Sequence, residues 1–190
     1  QQVPSINSYS QSHMNHMIFA DCGVVVEPTS QQLAEIALSS CLLWRQIFEP
    51  FLRLEPKVAF LSFSTKGSAQ HDAAKKIAKA HRLFCELKKQ TPFSEVKSDG
   101  EIQLDAAIVE SVAARKTPNS SLSGQANILI FPDLNAANIA YKAVQRFAGY
   151  DAFGPILQGL TTAFSDLSRG ASAEDIYWSM VTNLIRDSRL

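Results

Sequence analysis

The segment DLSRGASAED, residues 166–175, holds the most chemically suggestive side chains of the sequence. Arg169 lies in a tight turn beside Gly170, and Asp175 falls in the first turn of the helix that follows. A carboxylate there could transfer a proton, but Ser172, three residues earlier, also completes a capping box with it. Because a helix amino terminus lowers the pKa of a carboxylate and weakens it as a base, the spacing alone slightly favours the capping role.

A polar turn after an apolar run could bind an anion. Free backbone N–H groups and the positive end of a helix dipole suit such a turn to phosphate in particular. Serine, threonine and glycine also simply begin helices, and the pattern is not the Gly-x-x-x-x-Gly-Lys nucleotide loop, so both roles stay open. The turn consists of Ser62, Ser64, Thr65, Gly67 and Ser68.

The segment PDLNAAN, residues 132–138, follows the clearest core strand of the sequence. Asn135 could cap the next helix and Asp133 could brace the turn, and this structural role is at least as well supported as ligand contact. Tyr141 and Lys142, on the first turns of that helix, either reach a cleft or extend into solvent.

Other common kinds of site find no support in the sequence. The histidines, at positions 13, 16, 71 and 81, are too scattered for a metal site, since no carboxylate or thiol completes a ligand set near the first two. The G-x-S-x-G elbow of hydrolases and the G-x-G-x-x-G dinucleotide fingerprint are both missing.

The composition is that of a globular α/β protein. Of 190 residues, 46% are hydrophobic and 19% charged, and the formal net charge is zero, which argues against a nucleic-acid partner. Cys22, Cys41 and Cys85 form no C-x-x-C pair and are expected to be reduced and buried, as in a cytoplasmic protein. No run is long enough to span a membrane, and an opening without methionine suggests a fragment.

Apolar runs alternate with helical patterns along the chain. We expect strands at 17–26, 57–63, 93–97 (weak), 127–132 and 151–160, and helices after the capping box Thr29–Gln32, after Ser68, at 101–115, at 135–149 and from about Ser172.

This alternation predicts a three-layer αβα fold with a mostly parallel sheet. Ligands bind at the carboxyl ends of the strands in such sheets, which directs attention to the loops at 64–68, 133–138, 158–159 and 166–170.

Seven blocks in order resemble the carboxyl-terminal half of the phosphate acetyltransferase (phosphotransacetylase) family, from about Met17 to the end. They are FADCGV (19–24), PTSQQLAEIA (28–37), VAFLSFSTKGSA (58–69), DGEIQLDAAI (99–108), KTPNSSLSGQANILIFPDLNAANIAYKAVQR (116–146), GPILQGL (154–160) and DLSRGAS (166–172). The resemblance implies an isocitrate/isopropylmalate dehydrogenase-like fold, with a cleft between two α/β domains.

The resemblance also implies an enzyme that interconverts acetyl-CoA plus phosphate and CoA plus acetyl phosphate. CoA is then a substrate, with no tightly bound cofactor and no metal. The implied setting is acetate metabolism in the cytoplasm, as a homodimer without nucleic acid or membrane.

The family's catalytic residues fall on Ser168, Arg169 and Asp175. Asp175 would take the proton of the CoA thiol, whose ordinary pKa is about 8.5. Arg169 would bind the phosphoryl group with its planar guanidinium, and Ser168 would donate to the carbonyl oxygen. Further substrate-binding candidates in the same cleft are Ser64, Thr65, Asn135, Tyr141 and Gln158.

Family members are longer, and their amino-terminal half supplies much of one cleft wall. Residues 1–165 are therefore expected to form one α/β domain, and residues 166–190 a catalytic turn and a helix that would pack on the missing domain. Residues 3–15 match poorly the apolar strand expected before FADC. Two alternatives stay open: a phosphate butyryltransferase-type short-acyl transferase, and a non-catalytic domain that senses acetyl-CoA and oligomerises.

Overall fold

A computed structural model describes residues 16–167 and 169–188. Its centre is a four-stranded sheet in the order β1-β4-β2-β3, in which every neighbouring pair is parallel. The expected parallel α/β sheet is therefore confirmed. The strands are β1 (Ile18–Ala20), β2 (Lys57–Leu61), β3 (Lys97–Ile102) and β4 (Ile128–Ile130).

Helices cover both faces of this sheet. Strand β2 shows why, since Val58 and Phe60 belong to one buried cluster while Ala59 and Leu61 belong to the other. The helices are α1 (Ser30–Ile47), α2 (Glu49–Leu52), α3 (Asp72–Leu87), α4 (Leu104–Ile108), α5 (Glu110–Lys116), α6 (Leu134–Ala148) and α7 (Ala173–Asp187), with a 3-10 turn at Lys88–Gln90. Residues of α1 and α3 contribute to the first cluster and residues of α4 and α6 to the second, which gives the three-layer arrangement.

Helix α1 begins as expected. Thr29 accepts a hydrogen bond from the backbone of Gln32, and the Gln32 side chain accepts one from the Thr29 backbone. All three cysteines are free, as expected, although only Cys41 is fully buried.

The first strand is much shorter than the predicted 17–26. It ends at Ala20 because the Asp21 carboxylate accepts hydrogen bonds from three successive backbone N–H groups, those of residues 23–25. These bonds fold the chain into a turn, so the apolar residues after Asp21 do not continue the sheet, and Val24 and Val26 are exposed.

The predictions for residues 93–115 were also partly wrong. Residues 93–95 form a turn, and the edge strand β3 occupies Lys97–Ile102. It therefore begins at the end of the strand predicted at 93–97 and includes the first two residues of the helix predicted at 101–115. The helical part is split into α4 and α5, since Val109 between them has an extended backbone.

Residues 151–160 do not join the main sheet. Only Ile156–Leu157 (β5) is a strand, and it pairs antiparallel with Phe164–Ser165 (β6) in a separate two-stranded ribbon. Helix α7 starts where expected and packs against α1 and β6. No described helix is long and apolar enough to cross a membrane.

Candidate functional site

The polar turn after β2 lies at the carboxyl ends of the strands, and two of its side chains, Ser64 and Thr65, point inward. Ser64 is completely buried, and its hydroxyl donates to Glu101 Oε1 over 3.1 Å while accepting from the Ala69 N–H over 3.1 Å. Thr65 is also buried, and its hydroxyl oxygen accepts from the Gln103 N–H over 2.9 Å. These hydroxyls therefore brace the turn, which presents Lys66, Gly67 and Ser68 to solvent.

Two buried carboxylates of β3 hold this turn in place. Glu101 accepts from the Gly67 N–H as well as from Ser64, and its backbone oxygen accepts from the Lys66 N–H over 3.1 Å. Asp99 forms an ion pair with the Lys66 ammonium. Burial alone would raise the pKa of Asp99. Hydrogen bonds from Lys66 and Ser120, together with the charge of Lys66, outweigh this effect and hold the pKa of Asp99 below its ordinary value.

Sequence reasoning missed Asp99, Glu101 and Gln103 as site residues. The signal was their alternation, one residue in two, which is typical of a strand that aims one face at a partner. The interpretation of residues 101–115 as a helix hid this signal.

The loop after β4 lies beside the turn, because β2 and β4 are neighbours in the sheet. Asp133, not Asn135, caps α6: its carboxylate accepts from the Ala136 N–H over 2.9 Å. The helix starts one residue earlier than predicted, so Asn135 is already helical and its side chain is exposed. Tyr141 is half-buried, and the Lys142 ammonium lies 5.7 Å from the centre of its ring.

The loop after β1 completes this edge and is tied to α6. The Asn138 amide donates to the Cys22 carbonyl over 3.2 Å. Burial, together with the nearby Asp21 charge, raises the pKa of the Cys22 thiol to about 12, so that this thiol is protonated and unreactive near neutral pH.

The other predicted residues lie on or after the β5–β6 ribbon. Arg169 is exposed in a turn, and Ser168 lies outside the described residues. Among the described residues, no ion pair or hydrogen bond joins the Arg169 side chain to another group. Its guanidinium is therefore available to an anion.

Asp175 takes part in the capping box that the spacing suggested. Its Oδ2 accepts from the Ser172 N–H and from the Ser172 hydroxyl, both over 2.8 Å, and the Ser172 hydroxyl accepts from the Asp175 N–H over 3.1 Å. The backbone hydrogen bond from Ser172, and then the one from its side chain, hold the pKa of Asp175 below its ordinary value.

Gln158 contacts helix α1 rather than the turn after β2. Its side-chain amide exchanges hydrogen bonds with the Ser40 hydroxyl, in the middle of α1, over 3.2–3.3 Å. The structure thus brings Ser64 and Thr65 together with β3, and attaches Gln158 to α1. Within residues 16–167 and 169–188, no three histidine, cysteine or acidic side chains are placed to hold a metal ion.

Comparison with known proteins adds a family to this geometry. Residues 2–183 match the family model described as "Phosphate acetyl/butaryl transferase". A phosphate acetyltransferase of Bacillus subtilis (strain 168) is 49% identical over 160 residues, which is 84% of this chain and 46% of that protein.

Solved structures agree with this match. The EutD phosphotransacetylase from Staphylococcus aureus superposes with a TM-score of 0.80 at 45% identity, covering 92% of this chain and 50% of that one. A phosphotransacetylase from Streptococcus pyogenes gives 0.80 at 42% identity, covering 90% and 49%. The chain therefore spans about half the length of the relatives it matches.

Proposed function

The chain belongs to the phosphate acetyl/butaryl transferase family, and we propose that it forms the carboxyl-terminal half of an enzyme that interconverts acetyl-CoA plus phosphate and CoA plus acetyl phosphate. The observation that carries the proposal is the 49% identity to a phosphate acetyltransferase, sustained over 84% of the chain. CoA and acetyl phosphate are then substrates.

In the direction of acetyl-CoA synthesis, Asp175 accepts the proton of the CoA thiol. The sulfur attacks the carbonyl carbon of acetyl phosphate, a carbon–sulfur bond forms, the bond from that carbon to the phosphate oxygen breaks, and phosphate leaves. A thiol with an ordinary pKa of about 8.5 is mostly protonated at neutral pH, so a positioned carboxylate assists this attack.

The capping box sets the strength of this base. Hydrogen bonds from Ser172 lower the pKa of Asp175 and so reduce its affinity for a proton. They also fix the carboxylate at the start of α7, beside the turn that carries Arg169. Asp175 is thus a weaker base but is held in a defined position. The capping role and the role of general base, both suggested by the sequence, belong to the same side chain.

Arg169 and Ser168 act on the phosphate and the carbonyl. The exposed guanidinium of Arg169 binds the phosphoryl oxygens with two parallel hydrogen bonds. The Ser168 hydroxyl donates to the carbonyl oxygen as negative charge develops there. Ser64 and Thr65 act indirectly by shaping the turn after β2, while Asn135, Tyr141 and Gln158 remain candidates for direct substrate contact.

The missing half of the relatives would cover α7. Ile176, Met180 and Leu184 recur every fourth residue along this helix and are 42%, 62% and 69% exposed. Such an apolar stripe on a helix normally faces a packing partner. We therefore keep the division into a domain of residues 1–165 and a segment 166–190 that packs on the absent domain.

The experiment is an assay of thioester formation from CoA and acetyl phosphate. This chain is compared with the same chain joined to the amino-terminal half of the Bacillus subtilis relative. We expect turnover only in the joined protein, because the shorter chain lacks one wall of the cleft. Binding of acetyl-CoA to the joined protein without turnover would refute the enzyme proposal and favour the sensing domain.

Variants of the joined protein test the residue roles. Asp175→Asn should lower kcat at least about 100-fold, as expected for loss of a general base. Ser172→Ala is the matched control, since it removes the cap but leaves the carboxylate. The variant loses the hydrogen bond from the Ser172 hydroxyl to Asp175 but keeps the one from the backbone N–H of residue 172. The pKa of Asp175 should therefore rise part of the way towards its ordinary value, and the acid limb of the pH–rate profile should move to higher pH. A loss of tenfold or less in Asp175→Asn would rule out the base role.

Two further features implied by the family stay predictions, namely a dimer and a cytoplasmic location. Sedimentation of the joined protein measures the first. A monomer at the concentration of the assay would contradict it.

A further inference from the structure

Arg186, near the end of α7, is a buried cation. The residue is only 5% exposed, and its guanidinium reaches across to the β5–β6 ribbon. Nη1 donates to the Phe164 carbonyl over 3.2 Å and Nη2 to the Leu157 carbonyl over 2.8 Å. Leu157 and Phe164 lie directly opposite each other in the ribbon, so Arg186 fastens α7 to both strands at once.

The charge of Arg186 lacks a partner within the described residues. Its Nε is buried without a hydrogen bond, and no carboxylate forms an ion pair with the guanidinium. Burial lowers the pKa of Arg186 from its ordinary value. A buried charge without a counter-ion is costly, and arginine cannot escape this cost by losing its proton.

A small cavity of about 70 Å³ adjoins Arg186, between α1 and the ribbon. Its polar lining consists largely of potential donors. Gln46 is 6% exposed and Ser39 is half-buried, and neither side chain makes a hydrogen bond in the described part of the chain. The residues lining the cavity are Ser39, Leu42, Leu43, Gln46, Gln158, Gly159, Leu160 and Arg186, and no acidic residue is among them.

We propose that this cavity binds a small inorganic oxyanion, phosphate or sulfate, held by Arg186, Gln46 and Ser39. The anion supplies the charge that Arg186 lacks and accepts from an amide and a hydroxyl that are otherwise unpaired. The site differs from the proposed catalytic group, since neither Arg169 nor Asp175 lines the cavity. By joining α1 to α7 and the ribbon, the bound anion fastens the carboxyl-terminal segment to the main domain.

Thermal unfolding of the 190-residue chain tests this site. Wild type is titrated with sodium phosphate and with sodium sulfate against sodium chloride of equal ionic strength. An anion that binds only the folded state should raise Tm by about 3–6 °C for each tenfold increase above its dissociation constant. The same titrations are repeated with four variants, Arg186→Met, Gln46→Glu, Ser39→Ala and Arg169→Gln.

Each variant has a distinct expected result. Arg186→Met loses the phosphate-dependent rise, whereas Arg169→Gln retains it because the two arginines belong to different sites. Gln46→Glu brings a carboxylate into the cavity, so its Tm should exceed that of wild type without phosphate and respond little to added anion. Gln90→Glu, which makes the same charge change at an exposed position, is the control and should behave like wild type.

Ser39→Ala keeps the proposal testable even if the larger changes prevent folding. Loss of one hydrogen bond should weaken phosphate binding about fivefold with little change in Tm in chloride. The proposal is overturned if wild type shows no rise beyond chloride, or if the rise persists unchanged in Arg186→Met or Ser39→Ala. Loss of the rise in Arg169→Gln alone would assign the anion to the proposed catalytic turn instead.

Discussion

At the scale of single residues, Glu101 shows how hydrogen bonds stabilise a buried carboxylate that forms no ion pair with the described residues. The side chain is 6% exposed, and its carboxylate accepts from the Ser64 hydroxyl and the Gly67 N–H. Glu101→Leu leaves the buried Ser64 hydroxyl and the more exposed Gly67 N–H without this acceptor, so the free energy of unfolding should fall by about 2–3 kcal/mol. Urea denaturation measures this change.

Two milder variants separate the hydrogen bonds from general effects of charge. Glu101→Gln retains an acceptor and should lose about 1 kcal/mol. Glu110→Gln, at an exposed position of α5, should change the free energy of unfolding by less than about 0.5 kcal/mol. Equal losses in Glu101→Gln and Glu110→Gln would show that Glu101 does not brace the turn.

His81 makes the stability of the protein depend on pH. Burial against the Phe60 ring lowers the pKa of His81, although Asp99 acts in the opposite direction. The unfolded chain therefore binds a proton at higher pH than the folded one does. This contribution to stability is complete above the unfolded pKa of about 6.5 and is lost as the pH falls towards the folded value.

We expect the free energy of unfolding to decline between pH 7 and pH 5, and to decline less in His81→Gln. Urea denaturation at a series of pH values measures the slope. His16→Gln, which replaces an exposed histidine, is the control and should leave the slope as in wild type. The same slope in all three proteins would remove His81 as its source.

At the scale of elements, the sequence predicts those segments whose structure depends on local signals. The capping box before α1 and the apolar run of β4 are of this kind, and both were located correctly. Strand β3 contains Asp99, Gly100 and Glu101, which are poor strand formers. It is stabilised by groups from the turn after β2, which are distant in sequence. The only local signal was the alternation of Asp99, Glu101 and Gln103, which the helical interpretation of residues 101–115 hid.

The same distinction applies to the site. The residue types at Ser64 and Thr65 correctly predicted a polar turn after β2, but they did not predict that the two hydroxyls point into the protein. That direction depends on the acceptor of Glu101 and the N–H of Gln103, which pairing of β2 with β3 brings to the turn. Likewise, spacing predicted the contact between Ser172 and Asp175, because both partners lie within one helical turn.

Gly124 allows the loop before β4 to pass close to the backbone between α4 and α5. Its φ is +72°, and an added Cβ would lie 2.5 Å from Glu110 N. Gly149, after α6, has a similar φ of +70° but no atom within 4 Å of that position. Gly149→Ala should therefore cost about 1 kcal/mol, for the backbone conformation alone.

Gly124→Ala adds a clash with backbone atoms, which cannot move aside as a flexible side chain could. We expect it to lower the free energy of unfolding by at least about 3 kcal/mol, measured by urea denaturation beside Gly149→Ala. Similar losses in the two variants would mean that the loop moves away from α5 at little cost.

At the scale of the whole molecule, the described core and the apolar stripe of α7 differ in how they are covered. The sheet buries both faces under its own helices, whereas Ile176, Met180 and Leu184 are largely exposed. The relatives are about twice as long as this chain. If the additional half of the relatives packs on α7, it would cover these three side chains and explain why they form an apolar stripe.

Replacement of Met180 by a charged residue tests whether the additional half packs on α7. In the chain alone Met180→Glu should change the free energy of unfolding by less than about 0.5 kcal/mol, because the side chain is 62% exposed. In the protein joined to the amino-terminal half of the Bacillus subtilis relative, the same carboxylate would be buried without a partner, and the loss should exceed about 2 kcal/mol. Met180→Leu is the matched control and should be neutral in both. If Met180→Glu is also neutral in the joined protein, α7 faces solvent there and the exposed stripe must serve another contact.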